Sequence, residues 1–239
     1  MTISAFDIAI LGAGPVGRVL ALMLARVAPD PARIALLAGA SPAPVTPAAA
    51  IPVADPRVLA MNHGSRVLLE SLNAWPAKAA DILNIHVSQR GRLGRSVIQH
   101  TDFDVPQLGC VVAYSALHAK LEERVAASGV TLLSGPPAQI DGQDGDGVRI
   151  SQGDTALSCR IAVQSDGAGA SDLRRDYGQH ALLTTVHATL PRRGWAWERF
   201  TAEGPLALLP HPQLPDAYSV VWCSAPARAA ELAALDNAA

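Results

Sequence analysis

The stretch from Phe6 to Ala28, FDIAILGAGPVGRVLALMLARVA, narrows the choice of folds more than any other part of this chain. A short apolar run, Phe6 to Leu11 with Asp7 as its exception, meets Gly12-Ala13-Gly14-Pro15-Val16-Gly17. An apolar segment free of Gly and Pro follows at once. Strand, glycine turn and helix in that order form the opening of a dinucleotide-binding βαβ unit. Gly12 can take the positive φ that a tight exit from the strand requires. Gly14 removes the Cβ that would hold a pyrophosphate away from the backbone, and Gly17 lets the helix lie close to the strand. Pro15 suits the first helical turn, where its missing N–H would have no partner anyway, and Val16 follows it there. The free N–H groups and the positive end of the helix dipole then face the phosphates.

The remainder of the chain bounds what can be built on that unit. With 239 residues, 49% of them hydrophobic and only 17% charged, there is material for one large or two small domains with a sizeable core. A formal net charge of −2 gives no basic excess to attract nucleic acid. No uninterrupted apolar run reaches the roughly 18 residues of a membrane-spanning helix. The N-terminus lacks a basic segment ahead of its apolar run, so no signal peptide is expected. Cys110, Cys159 and Cys223 are odd in number and widely spaced, without a CxxC or Cys/His metal pattern. That combination predicts reduced thiols in a cytoplasmic protein and no metal site.

Taken in order, Arg33 to Ala38 (RIALLA) predicts a second, buried parallel strand. A dinucleotide fold commonly ends this strand in Asp or Glu, about 20 residues past the last glycine, to hold ribose hydroxyls. Here that position falls on Ala38. Residues 41–54 are Pro- and Ala-rich and predict a connector. The segment DPRVLAMNHGS (55–65) leads into a helical stretch, RVLLESLNAW. Alternating segments at 82–98 around Arg90-Gly91-Arg92-Leu93-Gly94 predict a hairpin. SALHAKLEERVAAS (115–128) predicts an amphipathic helix, capped by Ser115 and stopped by Gly129. Short strands follow from Val130 to Val163, with a hairpin turn at Asp141 to Gly147. A second strand-end glycine turn comes at Asp166-Gly167, with Ser171 placed to cap a helix. Residues 181–190 and 217–223 predict further strands.

Four of these segments together resemble one family. GAGPVG, DPRVLAMNHGS, SDGAGASDLR (165–174) and WERFTAEGPLALLP (197–210) look like the FAD-dependent aromatic hydroxylases of ubiquinone biosynthesis, and most like the 2-octaprenyl-6-methoxyphenol hydroxylase branch. IHVSQRG and the later YSVVWC fit that branch too, and the likeness runs in order through nearly the whole chain. The resemblance implies an α/β fold: a Rossmann-like FAD-binding domain at 1–80 and 113–177, with a partial, mostly antiparallel substrate-domain sheet at 81–112 and 178–239. It implies that Gly12, Gly14 and Gly17 approach the FAD pyrophosphate and that Arg57 reaches the flavin side. It further implies that Asp166 and Gly167 contact the ribose and pyrophosphate region, supported by Ser171 and Arg174. The RF…GPLALLP segment would belong to the sheet that covers the flavin. NAD(P)H is the implied reductant and a polyprenyl phenol the implied substrate. Other ubiquinone-biosynthesis proteins and a peripheral contact with the inner membrane are the implied partners.

Two departures accompany the likeness. Ala38 stands where a ribose-binding acid is usual, and the family continues for well over a hundred residues past the length of this chain, including a second FAD motif. Flavin chemistry needs no catalytic triad and no metal cluster, and none is visible. His63, His86 and His211 are candidates for a general base by residue type alone, so no catalytic residue is nominated. An alternative from another class is a non-catalytic domain that keeps the flavin fold as an assembly partner. An NAD-binding reductase would share the glycine turn but leave the other three motifs unexplained.

Overall fold

The computed structural model describes residues 4–39, 55–167 and 175–235. Its strands are, in chain order, β1 (Ser4–Leu11), β2 (Ile34–Gly39), β3 (Val58–Asn62), β4 (Ala80–Ile82), β5 (Asn84–Gln89), β6 (Arg95–Gln99), β7 (Gly109–Ala113) and β8 (Thr131–Gly135). They continue with β9 (Gln139–Asp144), β10 (Gly147–Gln152), β11 (Thr155–Gln164), β12 (His180–His187), β13 (Trp195–Phe200), β14 (Pro205–Pro210) and β15 (Ala217–Ser224). Four α-helices are described: α1 (Pro15–Ala25), α2 (His63–Ser71), α3 (Tyr114–Ala126) and α4 (Pro226–Ala233). Two compact units result, one from Met1–Pro52, Leu69–Trp75 and Leu117–Asp172, the other from Val53–Leu68, Pro76–Ala116 and Leu173–Ala239.

The first unit is built on a six-stranded sheet in the order β8-β2-β1-β11-β10-β9. β8, β2, β1 and β11 run parallel, and β10 and β9 close the sheet as an antiparallel hairpin. The expected parallel pairing of the first two strands is therefore present, and the first of the short strands expected after Val130 joins them as β8. Ile34 to Leu37 are fully buried, the signature of a strand covered on both faces. Ala9, Leu11, Ala35, Leu37, Ile150, Leu157 and Cys159 form one continuous core on this sheet. Asp7, the polar exception in β1, is half-exposed and accepts two hydrogen bonds from Arg33, at 2.7 and 3.1 Å. The turn expected over Asp141 to Gly147 is tighter than the sequence suggested. β9 continues to Asp144, leaving Gly145-Asp146 as a two-residue loop, the commonest hairpin length.

β11 does two jobs along its ten residues. Its first half pairs antiparallel with β10, while residues 157–164 pair in parallel with β1. The strand thus ends beside the end of β1, and delivers the turn at 165–167 to the glycine turn.

The second unit holds a six-stranded sheet in the order β12-β15-β14-β13-β5-β6 and a three-stranded antiparallel sheet in the order β3-β7-β4. The hairpin expected at 82–98 is β5–β6. All pairings in the larger sheet are antiparallel except β13 with β5, which run parallel. Ile82, Val111 and Ala196 form its core, with Val58, Ala80, Ile85, Leu108 and Leu209 packed around them.

Two boundaries differ from the sequence reading. Ser115 is not a cap, because α3 begins at Tyr114, directly off β7. The Tyr114 N–H donates to the Arg57 carbonyl at 3.0 Å, so a donor that a cap would serve is already satisfied. The helix expected over RVLLESLNAW starts earlier, at His63, and ends at Ser71. The Asn62 side-chain oxygen accepts from the Ser65 N–H at 2.8 Å and caps that start. The connector expected at 41–54 lies outside the described residues.

Candidate cofactor site

The glycine turn leaves β1 as the sequence requires. Gly12 has φ +109°, which L side chains rarely adopt, and its N–H donates to the Leu37 carbonyl of β2 at 2.9 Å. A Cβ on Gly12 would also lie 2.6 Å from the Asp166 nitrogen, so the residue is excluded twice, by conformation and by space. At Gly17 a Cβ would run into the Gly12 carbonyl oxygen and lie 2.6 Å from the Ser165 hydroxyl. Helix α1, strand end and the 165–167 turn are therefore in mutual contact, and both glycines are fixed by that contact.

Gly14 is different. Its φ of −71° and ψ of 179° are available to any residue, and among the described residues a Cβ there would meet nothing within 4 Å. Nothing among the described residues demands a glycine at this position. Pro15 occupies the first helical position and Val16, 71% exposed, the second. Among the described residues no side chain caps the N-terminus of α1.

The 165–167 turn closes the other side. The Ser165 N–H donates to the Leu11 carbonyl at 2.8 Å, and its hydroxyl lies 3.0 Å from the Leu11 carbonyl and 2.9 Å from that of Gly12. Asp166 and Gly167 follow, both exposed, with Gly167 at φ +69°. Ser171 and Arg174, named from the sequence with this turn, lie outside the described residues. Ala38 stands near the end of β2, half-buried and opposite Ser134 of β8. Its carbonyl accepts from the Gln152 amide at 3.1 Å, and the same amide donates to the Pro136 carbonyl at 3.1 Å. Gln152 is 5% exposed and ties two loop-bearing strand ends together.

Sequence reasoning missed three residues of this site. Ser165 precedes the Asp-Gly pair but carries no motif signal of its own. Gln152 carries no motif signal either. Arg18, which no sequence motif singles out, is 5% exposed and donates from Nε to the Ala13 carbonyl at 2.6 Å, bracing the turn. Its Nη1 is buried with no hydrogen-bond partner among the described residues.

Arg57 belongs to the second unit. Its guanidinium donates to both carboxylate oxygens of Asp55, at 2.6 to 3.0 Å, and lies 4.0 Å above the Tyr114 ring. The fork holds the Asp55 carboxyl below its ordinary pKa and raises that of Arg57. The three histidines are also in this unit. His63 opens α2, with its Nδ1 buried and unpartnered among the described residues. His86 lies on β5 opposite Trp197. His211 accepts two backbone N–H bonds at Nδ1, each 3.1 Å, which puts its proton on Nε2. Burial, and after it the charge of His187, lower its pKa. Among the described residues no group of three or more His, Cys, Asp or Glu side chains is placed to hold a metal ion. No described helix is long and apolar enough to cross a membrane.

No family model matches the chain. Individual proteins do. It is 29% identical over 249 residues to 3-demethoxyubiquinol 3-hydroxylase of Escherichia coli, a match that covers 97% of this chain and 61% of that protein. It is 29% identical over 232 residues to the ubiquinone hydroxylase UbiL of Rhodospirillum rubrum, covering 90% of this chain and 51% of the relative. In sequence the chain is similar to these ubiquinone-biosynthesis monooxygenases. Its fold also matches that of PqsL from Pseudomonas aeruginosa, described as a probable FAD-dependent monooxygenase, with a TM-score of 0.69 and 17% identity over 96% of this chain and 63% of that one. The chain spans about half to three fifths of the length of these ubiquinone-biosynthesis relatives.

Proposed function

We propose that this chain belongs to an FAD-dependent monooxygenase that hydroxylates the aromatic ring of a polyprenyl phenol in ubiquinone biosynthesis, with NAD(P)H as reductant. The observation that carries the reading is Gly14. Its glycine is required neither by its backbone angles nor by packing among the described residues, and it sits where the N-terminus of α1 would receive a pyrophosphate. The space fits the cofactor, and so does the donor set of backbone N–H groups in the first turn of α1. Gly12 and Gly17 let the turn and helix close, and Arg18 and Ser165 hold its carbonyls in place.

In this reading residues 1–80 and 113–177 supply the FAD-binding domain, and 81–112 and 178–239 supply part of the substrate domain. Pro15 and Val16 would flank the pyrophosphate, and Asp166 and Gly167, with Ser171 and Arg174 after them, would meet the ribose and pyrophosphate region. Ala38 would lie by the adenosine ribose without an acceptor for it. Arg57, already oriented by Asp55 and Tyr114, would serve the flavin side. Bound FAD, once reduced, would supply the activation of O₂ for transfer of one oxygen atom to the ring. The protein's part is to hold the ring in line and to exclude water. Other ubiquinone-biosynthesis proteins would be its partners, and contact with the inner membrane would be peripheral.

The test is direct. The purified protein should bind FAD saturably, turn yellow, and show bleaching of the flavin by NADH or NADPH without oxygen. A chain that folds and binds no FAD would overturn the cofactor assignment and favour the assembly-partner reading, to which the missing acid at Ala38 already points.

A further inference from the structure

The glycine fingerprint specifies nothing about the residue after its third glycine, and here that residue is Arg18. A cation in the first turn of a helix opposes the helix dipole, and its usual place there is in water. Arg18 is instead 5% exposed. No carboxylate pairs with it among the described residues, and its Nη1 is buried there without a partner. A buried cation that lacks a counter-charge destabilises the fold that holds it. Packing alone therefore gives no reason for an arginine at this position.

The directions of the peptide groups supply one. Successive carbonyls of the turn are all held from within the protein. That of Leu11 accepts from the Ser165 N–H at 2.8 Å, and that of Gly12 lies 2.9 Å from the Ser165 hydroxyl. That of Ala13 accepts from Arg18 Nε at 2.6 Å, and that of Gly14 from the Arg18 N–H at 3.0 Å. A trans peptide group points its C=O and its N–H in opposite directions. With the Ala13 carbonyl turned to the guanidinium, the Gly14 N–H of the same peptide points away from it. The Gly12 carbonyl, turned to Ser165, does the same for the Ala13 N–H. Neither N–H has an acceptor among the described residues, and a Cβ on Gly14 would meet none of their atoms within 4 Å.

A peptide next to glycine turns over easily, because glycine has few forbidden backbone angles. Turned over, the Ala13–Gly14 peptide would offer a carbonyl oxygen to an arriving anion in place of a donor. Among the described residues Arg18 alone holds it against that. We infer that Arg18 is a positioning residue for a diphosphate: it fixes the Ala13–Gly14 peptide with its N–H toward the ligand and stations a positive charge behind it. The charge-assisted bond to the carbonyl polarises the peptide and strengthens the N–H as a donor. The same cation that opposes the helix dipole in the free protein is balanced once a diphosphate is bound. Arg18 thus makes the turn select a phosphorylated nucleotide over an uncharged nucleoside. This rests on the cofactor reading and adds to it the residue that orients the donor.

The probes are ADP and adenosine, titrated by calorimetry into the full chain as wild type, Arg18→Met and Arg18→Lys. Met keeps the buried apolar stem and loses donor and charge, whereas Lys keeps a charged donor. Arg18→Met should weaken ADP binding about tenfold to hundredfold, the loss of one hydrogen bond to a charged group, and leave adenosine binding unchanged. Arg18→Lys should recover most of the ADP affinity. In the wild-type chain carrying isotope-labelled glycine, the Gly14 amide resonance should move with ADP and stay in place with adenosine, a measurement that needs no variant to fold. Equal ADP affinity in wild type and Arg18→Met would overturn this inference alone. So would a parallel loss of ADP and adenosine, the mark of a brace that only keeps the turn folded, or a Gly14 amide that ADP leaves in place. A wild-type chain that binds neither probe would overturn the cofactor reading and this inference with it.

Discussion

Gly14 and Gly17 are three residues apart in one motif, yet replacing them should do opposite things. At Gly17 the new Cβ would strike the Gly12 carbonyl oxygen, which is backbone and cannot rotate away, and the Ser165 hydroxyl at 2.6 Å. Overpacking of that kind costs about 3 kcal/mol at the upper end. Replacing a helical glycine by alanine returns about 1 kcal/mol, so Gly17→Ala should lose about 2 kcal/mol. For a chain of this size that lowers the melting temperature by about 4–8 °C. At Gly14 a Cβ meets no atom of the described residues within 4 Å. Its weaker N-cap preference costs about 1 kcal/mol, and the stiffer unfolded chain returns about 0.4–1 kcal/mol. Gly14→Val should therefore melt within about 2 °C of wild type. Its effect should appear in FAD binding instead. A pyrophosphate kept from two backbone N–H groups loses about 1.5–3 kcal/mol for each, so affinity should fall by about 10²- to 10⁴-fold. Thermal melts of the three proteins, with FAD titrated by calorimetry, decide the matter. A Gly14→Val protein that melts as low as Gly17→Ala would refute the open space above Gly14. One that binds FAD like wild type would move the pyrophosphate elsewhere.

Ala38→Glu should tighten FAD or ADP binding about tenfold, since a charged acceptor for ribose hydroxyls contributes about 1.5–3 kcal/mol, reduced by solvent and by lost rotamer freedom; calorimetry that finds no gain in a folded variant would misplace the ribose. Glu198, on β13, has its carboxyl pKa raised by burial above the ordinary 4.5, so its folded state binds the proton more tightly and stability falls as pH rises from about 4.5 through the raised value. Glu198→Gln should remove that part of the pH dependence, and urea midpoints of the two proteins that run parallel from pH 4 to pH 8 would contradict it. Cys110 and Cys159 are buried, and burial raises the Cys159 thiol pKa, whereas Cys223 is half-buried. A colorimetric thiol assay should therefore titrate one fast sulfhydryl in the native protein and three in denaturant, and three fast thiols in the native protein would place the two buried cysteines wrongly.

What could be read from the sequence was what neighbours along the chain decide. The run from β1 through Gly12 to α1 is legible because apolar periodicity and turn chemistry act within a few residues. β3 was not read as a strand. VLAMN is short and half-exposed, and becomes one by pairing with β7, about fifty residues later. The parallel alignment of β13 with β5 was equally hidden, since a strand's own pattern says which face is buried but not which neighbour it takes. Arg18 escaped because a charge one position past the last glycine looks like a solvated helix residue. Only the fold of the turn shows the Ala13 carbonyl waiting for its Nε.

The cradle depends on register more than on any one side chain. Leu11 pairs with Gln164 at the end of the β1–β11 ladder, so Ser165 arrives at the carbonyls of Leu11 and Gly12. The same strand is held at its other end by β10, from Cys159 opposite Val148 to Thr155 opposite Gln152. A slip of one residue would turn every β11 side chain to the other face. Leu157 and Cys159 would leave the core, and Ser165 would face away from the turn it now holds. The hairpin therefore has a consequence at the far end of the strand, because burying Ile150, Leu157 and Cys159 in one core fixes the phase in which Asp166 and Gly167 meet Gly12. Gln152 adds to this from the hairpin end, joining β10 to the carbonyl of Ala38 on β2. Apolar burial in the first unit thus sets the placement of the 165–167 turn against the glycine turn, and the Ser165 hydroxyl then ties the two turns together.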